Sequence, residues 1–394
     1  MFPFYVPGRT LVQRCSFPCL ERNPHMFELL VSAGNGLTVS SALLGALGVS
    51  VLLVLTKHHH GHLTMDSAIG VQKFHVHPTP RVGGLGIYVG VLLAWLMVQD
   101  KAAKEILGII LLAGIPALGC GLLEDMTKRV GVMPRLAATM AGGILACLLT
   151  GIALNRLDVH GLDAFLAVAP VAVMFTAFAV AGVANAINII DGFHGLASGT
   201  AIIALLALAA ISWRVHDPQL ALACILVAAA VAGFWLVNYP WGKLFMGDGG
   251  AYFVGFALAW LAVLLPVRNP EVSPWAAFLI CAYPVIEVLY SVVRRFVRRQ
   301  SPGQADSGHL HSLIKTQFIR RNLAYASKAV QHATVSPIVW AFTSLPALLA
   351  VALFDQTLLL LLTSIVYALL YHAIYRYLAP ANNSQPAPHA VTVL

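Results

Sequence analysis

VAVMFTAFAVAGVANAINIIDGFHGLASGTAIIALLALAAI (171–211) decides how this chain is read. Two apolar runs flank a short polar segment, NAINIIDGFHGLASG (185–199), which holds Asn185, Asn188, Asp191 and three glycines. Each run is close to the ~20 residues that cross a bilayer as a helix. A carboxylate kept beside hydrocarbon is costly, so Asp191 marks function before it marks structure. The same pattern recurs in KFHVHPTPRVGG (73–84), GLLEDMTKRVG (121–131) and FMGDGGAYF (245–253), with Asp66 just upstream of the first.

Composition places these segments in a membrane protein. Of 394 residues, 59% are hydrophobic and 10% charged, with a mean hydropathy of +0.81. A soluble domain of this length does not have that balance. The net charge of +8 therefore speaks to topology and anionic partners. No nucleic-acid motif accompanies it, so no nucleic acid is expected. The six cysteines (Cys15, Cys19, Cys120, Cys147, Cys224, Cys281) are scattered and show neither disulfide nor zinc spacing.

Apolar runs fall at approximately 30–55, 82–99, 104–122, 135–154, 163–184, 197–213, 219–237, 250–267, 274–295, 335–354 and 357–378. The predicted fold class is all-α: a polytopic membrane helix bundle of about 10–11 transmembrane helices. Residues 30–378 form its single domain. Residues 1–29 read as an N-terminal tail or an over-extended start with Met26 as initiator, and 379–394 as a disordered C-terminal tail. Sixteen Lys and Arg follow odd-numbered spans and five follow even-numbered ones. The positive-inside rule puts the odd exits in the cytoplasm. Every polar motif follows an odd span, so loops 56–81, 123–134, 185–196, 238–249 and 296–334 share one cytoplasmic face.

Each motif supports two readings on its own. Asp248, at a helix start between glycines, suits Mg²⁺ and phosphate, or is a simple N-cap. Asn185, Asn188 and Asp191, three apart, share a helix face that suits a hard cation, or they glue helices together. Glu124 and Asp125 repel, raising one pKa for a base, or Glu124 pairs with Lys128 at a helix end. Lys73, His75, His77 and Arg81 before Gly83 suit a pyrophosphate, or are topology charges. His309 and His311 in GHLHSLIK could donate to phosphate. KHHHGH (57–62) reads as a solvated loop.

In this order and on this face, the segments resemble the polyprenyl-phosphate N-acetylhexosamine-1-phosphate transferase family, over roughly residues 30–330. HVHPTPRVGG resembles the family's first cytoplasmic motif, EDMTKRVG its acidic pair, NAINIIDGFHGLA its Asn-x-x-Asn-x-x-Asp-Gly-x-x-Gly signature, FMGDGG its metal motif and GHLH its His-x-His loop. The resemblance implies Asn188, Asp191 and Asp248 around Mg²⁺, with Mn²⁺ as a substitute. It implies Glu124 and Asp125 handling the lipid phosphate, so that Glu124, Asp125, Asp191 and Asp248 form the catalytic set. Lys73, His75, Arg81, Phe193, His194, Asn238, His309 and His311 would bind substrate. The implied reaction moves a GlcNAc-type sugar-1-phosphate from a UDP-sugar to undecaprenyl phosphate in the bacterial inner membrane, beginning a surface glycan such as O-antigen. A phospho-MurNAc-pentapeptide translocase is the neighbouring reading. A transporter fits less well, because its acids would lie near the midplane. The partners are thus UDP-sugar, undecaprenyl phosphate and membrane lipid, with a homodimer left open. Glu124 stands for the family's usual Asp, His194 for its second Asp, and Ala251 for a common Ser.

Overall fold

The computed structural model describes residues 33–66, 79–299 and 308–379. The N-terminal tail, Lys73, His75, His77 and the C-terminal tail from residue 380 lie outside the described residues. In chain order the helices begin with α1 (Ala33–Leu55) and α2 (Lys57–Thr64). A short ladder of β1 (Met65–Asp66) and β2 (Thr79–Pro80) pairs antiparallel, Met65 with Pro80 and Asp66 with Thr79. Then come α3 (Gly83–Met97), α4 (Lys101–Ala113), α5 (Ile115–Thr127), α6 (Val132–Thr150), α7 (Leu162–Leu166) and α8 (Ala169–Ile190). The chain continues with α9 (Leu196–Arg214), α10 (Pro218–Asn238), α11 (Gly247–Arg268), α12 (Pro274–Ile280) and α13 (Ala282–Val297). After the break come α14 (Leu310–Leu313), a π-helical turn (Ile314–Ile319), α15 (Arg320–Asn322), α16 (Lys328–Leu353) and α17 (Thr357–Leu378).

Each of the eleven apolar runs is helical. Among the described residues, eight helices are long and apolar enough to cross a membrane, and two bent pairs, α4–α5 and α12–α13, bring the count to ten. The eleventh, α3, has 15 residues, a length of roughly 22 Å. Helices are what the sequence must form here, because lipid offers the backbone no hydrogen bonds. Both bends have a cause. Pro116 and Pro284 lack the N–H that would continue the ladder past Gly114 and Cys281. The two pairs turn by 41° and 77° at those points.

Helix α11 is the hub. Every residue from Gly247 to Pro266 is buried. Small residues let its neighbours approach, which is how helices associate when lipid is as apolar as their side chains. A Cβ on Gly84 would lie 2.3 Å from the Gly250 Cα, and one on Gly121 would lie 2.5 Å from the Gly249 Cα. A Cβ on Gly255 would lie 2.5 Å from the Ala184 Cα. These contacts draw the ends of α3, α5 and α8 onto the first turns of α11. Outward leucines on α17, such as Leu358, Leu362 and Leu369, are exposed, as a lipid-facing helix requires.

Candidate active site

The acid cluster is built on the N-terminus of α11. Gly247 holds φ +75°, and a Cβ there would lie 2.6 Å from Asp125 Oδ2, so only glycine fits. Asp125 is fully buried at the end of α5. Its Oδ1 accepts from the Asp248 N–H at 3.0 Å and its Oδ2 from the Gly249 N–H at 2.9 Å. It therefore caps α11, where a carboxylate is favoured by orphan donors and the helix dipole. Glu124 points elsewhere, because adjacent residues on a helix diverge by about 100°. Its Oε2 accepts from the Val130 N–H at 2.7 Å and fixes the turn after α5. Lys128 gives its Nζ to the Asp125 carbonyl at 2.6 Å rather than to the Glu124 carboxylate.

Asp248 meets two guanidinium groups. Arg81 Nη2 donates to its Oδ1 at 3.1 Å and also lies 3.5 Å from Asp125 Oδ1. Arg135 Nη1 bonds the other oxygen and sets its guanidinium over the Tyr252 ring, 5.8 Å from the centroid. Asn188 Nδ2 donates to Asp248 Oδ1 at 3.2 Å, while Asn185 Oδ1 accepts from the Tyr252 hydroxyl at 3.3 Å. Segment 80–84 is stitched to the FMGDGG segment by Phe245 N–H to Pro80 O, Gly83 N–H to Phe245 O and Gly84 N–H to Met246 O, at 2.8, 2.9 and 3.0 Å.

Asp191 follows the last residue of α8 and is half-buried. Among the described residues no side-chain or backbone donor bonds its carboxylate. Burial pushes its pKa up to about 7; Arg81 opposes this, and Asp248 and Asp125 reinforce it. Three carboxylates facing two guanidinium groups thus leave one acid without a bonded donor. The oxygen donors available from Asp191, Asp248 and Asn188 are the hard ligands Mg²⁺ takes, one or two carboxylates being enough when phosphate and water supply the rest. The residues fit a divalent cation, although among the described residues no ready-made cluster of three ligands exists.

The loop after Asp191 forms a second wall. The Gly195 N–H donates to Asn238 Oδ1 at 2.5 Å, and Asn238 Nδ2 donates to Leu244 O at 2.7 Å. His194 Nδ1–H donates to Pro240 O at 2.9 Å. Its ring packs 5.9 Å from Phe245 and 4.1 Å from His332. Phe193 lies 4.6 Å from His332 and 5.6 Å from His311, with Lys315 Nζ 5.4 Å above its ring. Burial, with Lys328 adding, lowers the Lys315 pKa to about 8.

His309 and His311 stack with ring centroids 5.2 Å apart. Both turn Nδ1 toward buried Glu287 on α13, His309 at 3.0 Å and His311 at 3.8 Å. The Leu310 N–H also reaches Glu287 Oε1 at 3.0 Å. Arg135, Glu287 and His332 join the site without belonging to any motif singled out in the sequence. Glu287 carries the same signal as the others, an acid inside an apolar run. His332 carries none, and Arg135 is marked only as one of the basic residues that follow odd-numbered spans. The structure thus brings Arg81, Glu124, Asp125, Asn188, Asp191, Phe193, His194, Asn238, Asp248, His309 and His311 to one end of the bundle. The segment 57–62, expected as a solvated loop, is instead helical and forms most of α2 (Lys57–Thr64).

The sequence model of glycosyl transferase family 4 matches residues 107–266. The undecaprenyl-phosphate alpha-N-acetylglucosaminyl 1-phosphate transferase of Escherichia coli O157:H7 is 27% identical over 288 residues, 71% of this chain and 77% of the relative. A probable undecaprenyl-phosphate N-acetylglucosaminyl 1-phosphate transferase of Bacillus subtilis is 24% identical over 244 residues, 61% of this chain and 66% of its own. The decaprenyl-phosphate N-acetylglucosaminephosphotransferase of Mycobacterium leprae is 27% identical over 271 residues, 60% of this chain and 66% of its own. The matched segment holds the acidic pair, the Asn188–Asp191 signature and Asp248, so over that segment the chain is similar to glycosyl transferase family 4, as it is to these relatives over a longer stretch.

Proposed function

We propose that this protein transfers a GlcNAc-type sugar-1-phosphate from a UDP-sugar to undecaprenyl phosphate at the cytoplasmic face of the bacterial inner membrane, releasing UMP and beginning a surface glycan such as O-antigen. The observation that carries the reading is the charge cluster on α11, where Asp191 and Asp248 meet Arg81 and Arg135 at one end of an apolar bundle. A lipid phosphate oxygen attacks the β-phosphorus of the donor; a P–O bond forms there, and the P–O bond to UMP breaks. Such a transfer needs positioning and charge stabilisation more than covalent help. Mg²⁺, held by Asp191, Asp248 and Asn188, would neutralise the phosphate charge.

The remaining roles fall to the chain itself. Arg81 and Arg135 are bidentate-capable cations that can pass from Asp248 to phosphate oxygens. Asp125 holds α11 in place, so its carboxylate positions Asp248 rather than moving a proton. Glu287 fixes Nδ1 of His309 and lies 3.8 Å from Nδ1 of His311, whose hydrogen-bond partner is the Tyr283 hydroxyl at 3.5 Å, so on both rings Nε2 is the edge that would meet phosphate. Lys73 and His75, outside the described residues, keep the substrate-binding role that the sequence suggests. Phe193, His194 and Asn238 form the wall that would meet the uridine.

The test is purified protein in nanodiscs with undecaprenyl phosphate, Mg²⁺ or Mn²⁺, and a panel of UDP-sugars that includes UDP-MurNAc-pentapeptide, read by UMP release. UMP from UDP-GlcNAc or a close relative is expected. Release only with the pentapeptide donor would move the protein to the peptidoglycan reaction, and silence with every donor would end the reading.

A further inference from the structure

Helix α16 lies beyond the segment matched by the family, yet it grips the loop after Asp191. His332, Ser336 and Trp340 are four residues apart and therefore lie on one helix face. Each touches a successive part of that loop. The His332 ring packs against Phe193 at 4.6 Å and His194 at 4.1 Å. The buried Ser336 hydroxyl donates to the His194 carbonyl at 2.6 Å. Trp340 Nε1–H donates to the Gly195 carbonyl at 3.1 Å. The indole also packs 5.0 Å from Tyr239, and α9 admits it only because residue 199 is glycine: a Cβ there would lie 2.2 Å from Trp340 Nε1.

The loop is thus clamped from two sides. Asn238 and Pro240 at the end of α10 hold the Gly195 N–H and the His194 imidazole. Helix α16 holds the two carbonyls. A buried carbonyl needs a donor. The His194 carbonyl has its donor from this helix, which supplies no residue to the acid cluster, and the Gly195 carbonyl, which also accepts from the Gly199 N–H at 2.8 Å, has a second donor there. We propose that Ser336 and Trp340 are positioning residues for the nucleotide of the donor. They set the loop that carries Phe193 and His194, and so govern donor affinity separately from acceptor affinity. The inference rests on the UDP-sugar reading above.

The experiment uses the full chain in nanodiscs. UDP binding in the presence of Mg²⁺ is measured by calorimetry, and the KM for undecaprenyl phosphate by UMP release. Ser336→Ala and Trp340→Phe each remove one donor and keep the packing. Each should weaken UDP by about fivefold, the value of one hydrogen bond, while the KM for undecaprenyl phosphate stays within twofold. Thr343→Val, one turn further along α16, should change neither. If wild-type protein fails to bind UDP, the donor reading falls and this inference with it. If wild-type protein binds UDP and both variants bind it equally well, the inference alone falls. Parallel losses in UDP affinity and in the KM for the lipid would reduce the stripe to a structural contact and also overturn it.

Discussion

Both ends of the bundle hold acids against arginines, but the two arrangements differ. At the end opposite the motifs, Asp217 begins α10 and meets one cation. Arg268 Nε and Nη2 reach its two oxygens at 2.7 and 2.8 Å, Asn269 adds a bond at 3.3 Å, and the Leu220 N–H is capped at 3.1 Å. One acid and one guanidinium close on each other, and nothing is left to bind. At the motif end, three acids share two guanidinium groups, and Asp191 is left without a bonded donor among the described residues. Satisfied pairs hold helices together; an unbalanced cluster waits for a ligand.

The sharpest break of this comparison exchanges one acid at each end. Asp248→Asn should lower UMP release by more than about 100-fold, a few kcal/mol of transition-state stabilisation, in protein that still folds. Asp191→Asn should behave alike. Asp217→Asn should do the reverse: stability falls by roughly 1–3 kcal/mol, because Arg268 loses its carboxylate, while the rate per folded molecule stays within twofold. Thermal denaturation and UMP release on the same preparations read both. Equal rate losses at the two ends would erase the distinction.

The difference between the ends was partly legible in the sequence. Asp191 and Asp248 stand out because each sits with glycines in a polar break between apolar runs, and the basic residues beside odd spans orient the bundle without any structure. Among the described residues all eleven apolar runs are helical, because lipid offers the backbone no other hydrogen-bond partners. The roles of Glu124 and Asp125 were not legible. A pair of adjacent acids reads as two repelling charges, and only packing shows that one caps α11 while the other holds a turn. Glu287 showed itself only as an acid inside an apolar run, with no polar break to mark it, and the α16 stripe depends on a contact 142 residues away in sequence.

A middle-sized effect concerns pH at the wall of the site. Lys315, lowered to about 8 by burial and by Lys328, lies over the Phe193 ring. Below that pH it is an ammonium beside an anionic donor. UDP affinity should therefore decline as pH rises through about 8, and Lys315→Gln should flatten that limb of the profile. The stability linkage has the opposite sign. The unfolded chain keeps the Lys315 proton up to its ordinary value, so it binds more protons than the folded one above about 8, and folding gains stability across that window. A pH profile of UDP binding that Lys315→Gln leaves unchanged would remove Lys315 from the site.

The smallest effect belongs to Glu124. Its carboxylate accepts from the Val130 N–H, a task that an amide oxygen performs as well, so Glu124→Gln removes the charge and keeps the turn. If that bond is its role, UMP release should stay within about threefold of wild type across pH, since a neutral acceptor forgoes only the charge-assisted part of one hydrogen bond. Glu124→Asp shortens the reach to Val130 by one methylene and should loosen the turn slightly without a comparable loss in rate. Asp125→Asn is the contrast on the neighbouring residue. An amide offers one acceptor where the carboxylate offers two, so either the Asp248 or the Gly249 N–H loses its partner, and both the stability and the rate should drop. Initial rates and melting temperatures for the three variants separate the residues. A loss beyond tenfold in Glu124→Gln, about 1.4 kcal/mol, would return Glu124 to the reacting groups and make the acidic pair part of the chemistry rather than of the scaffold that holds Asp248.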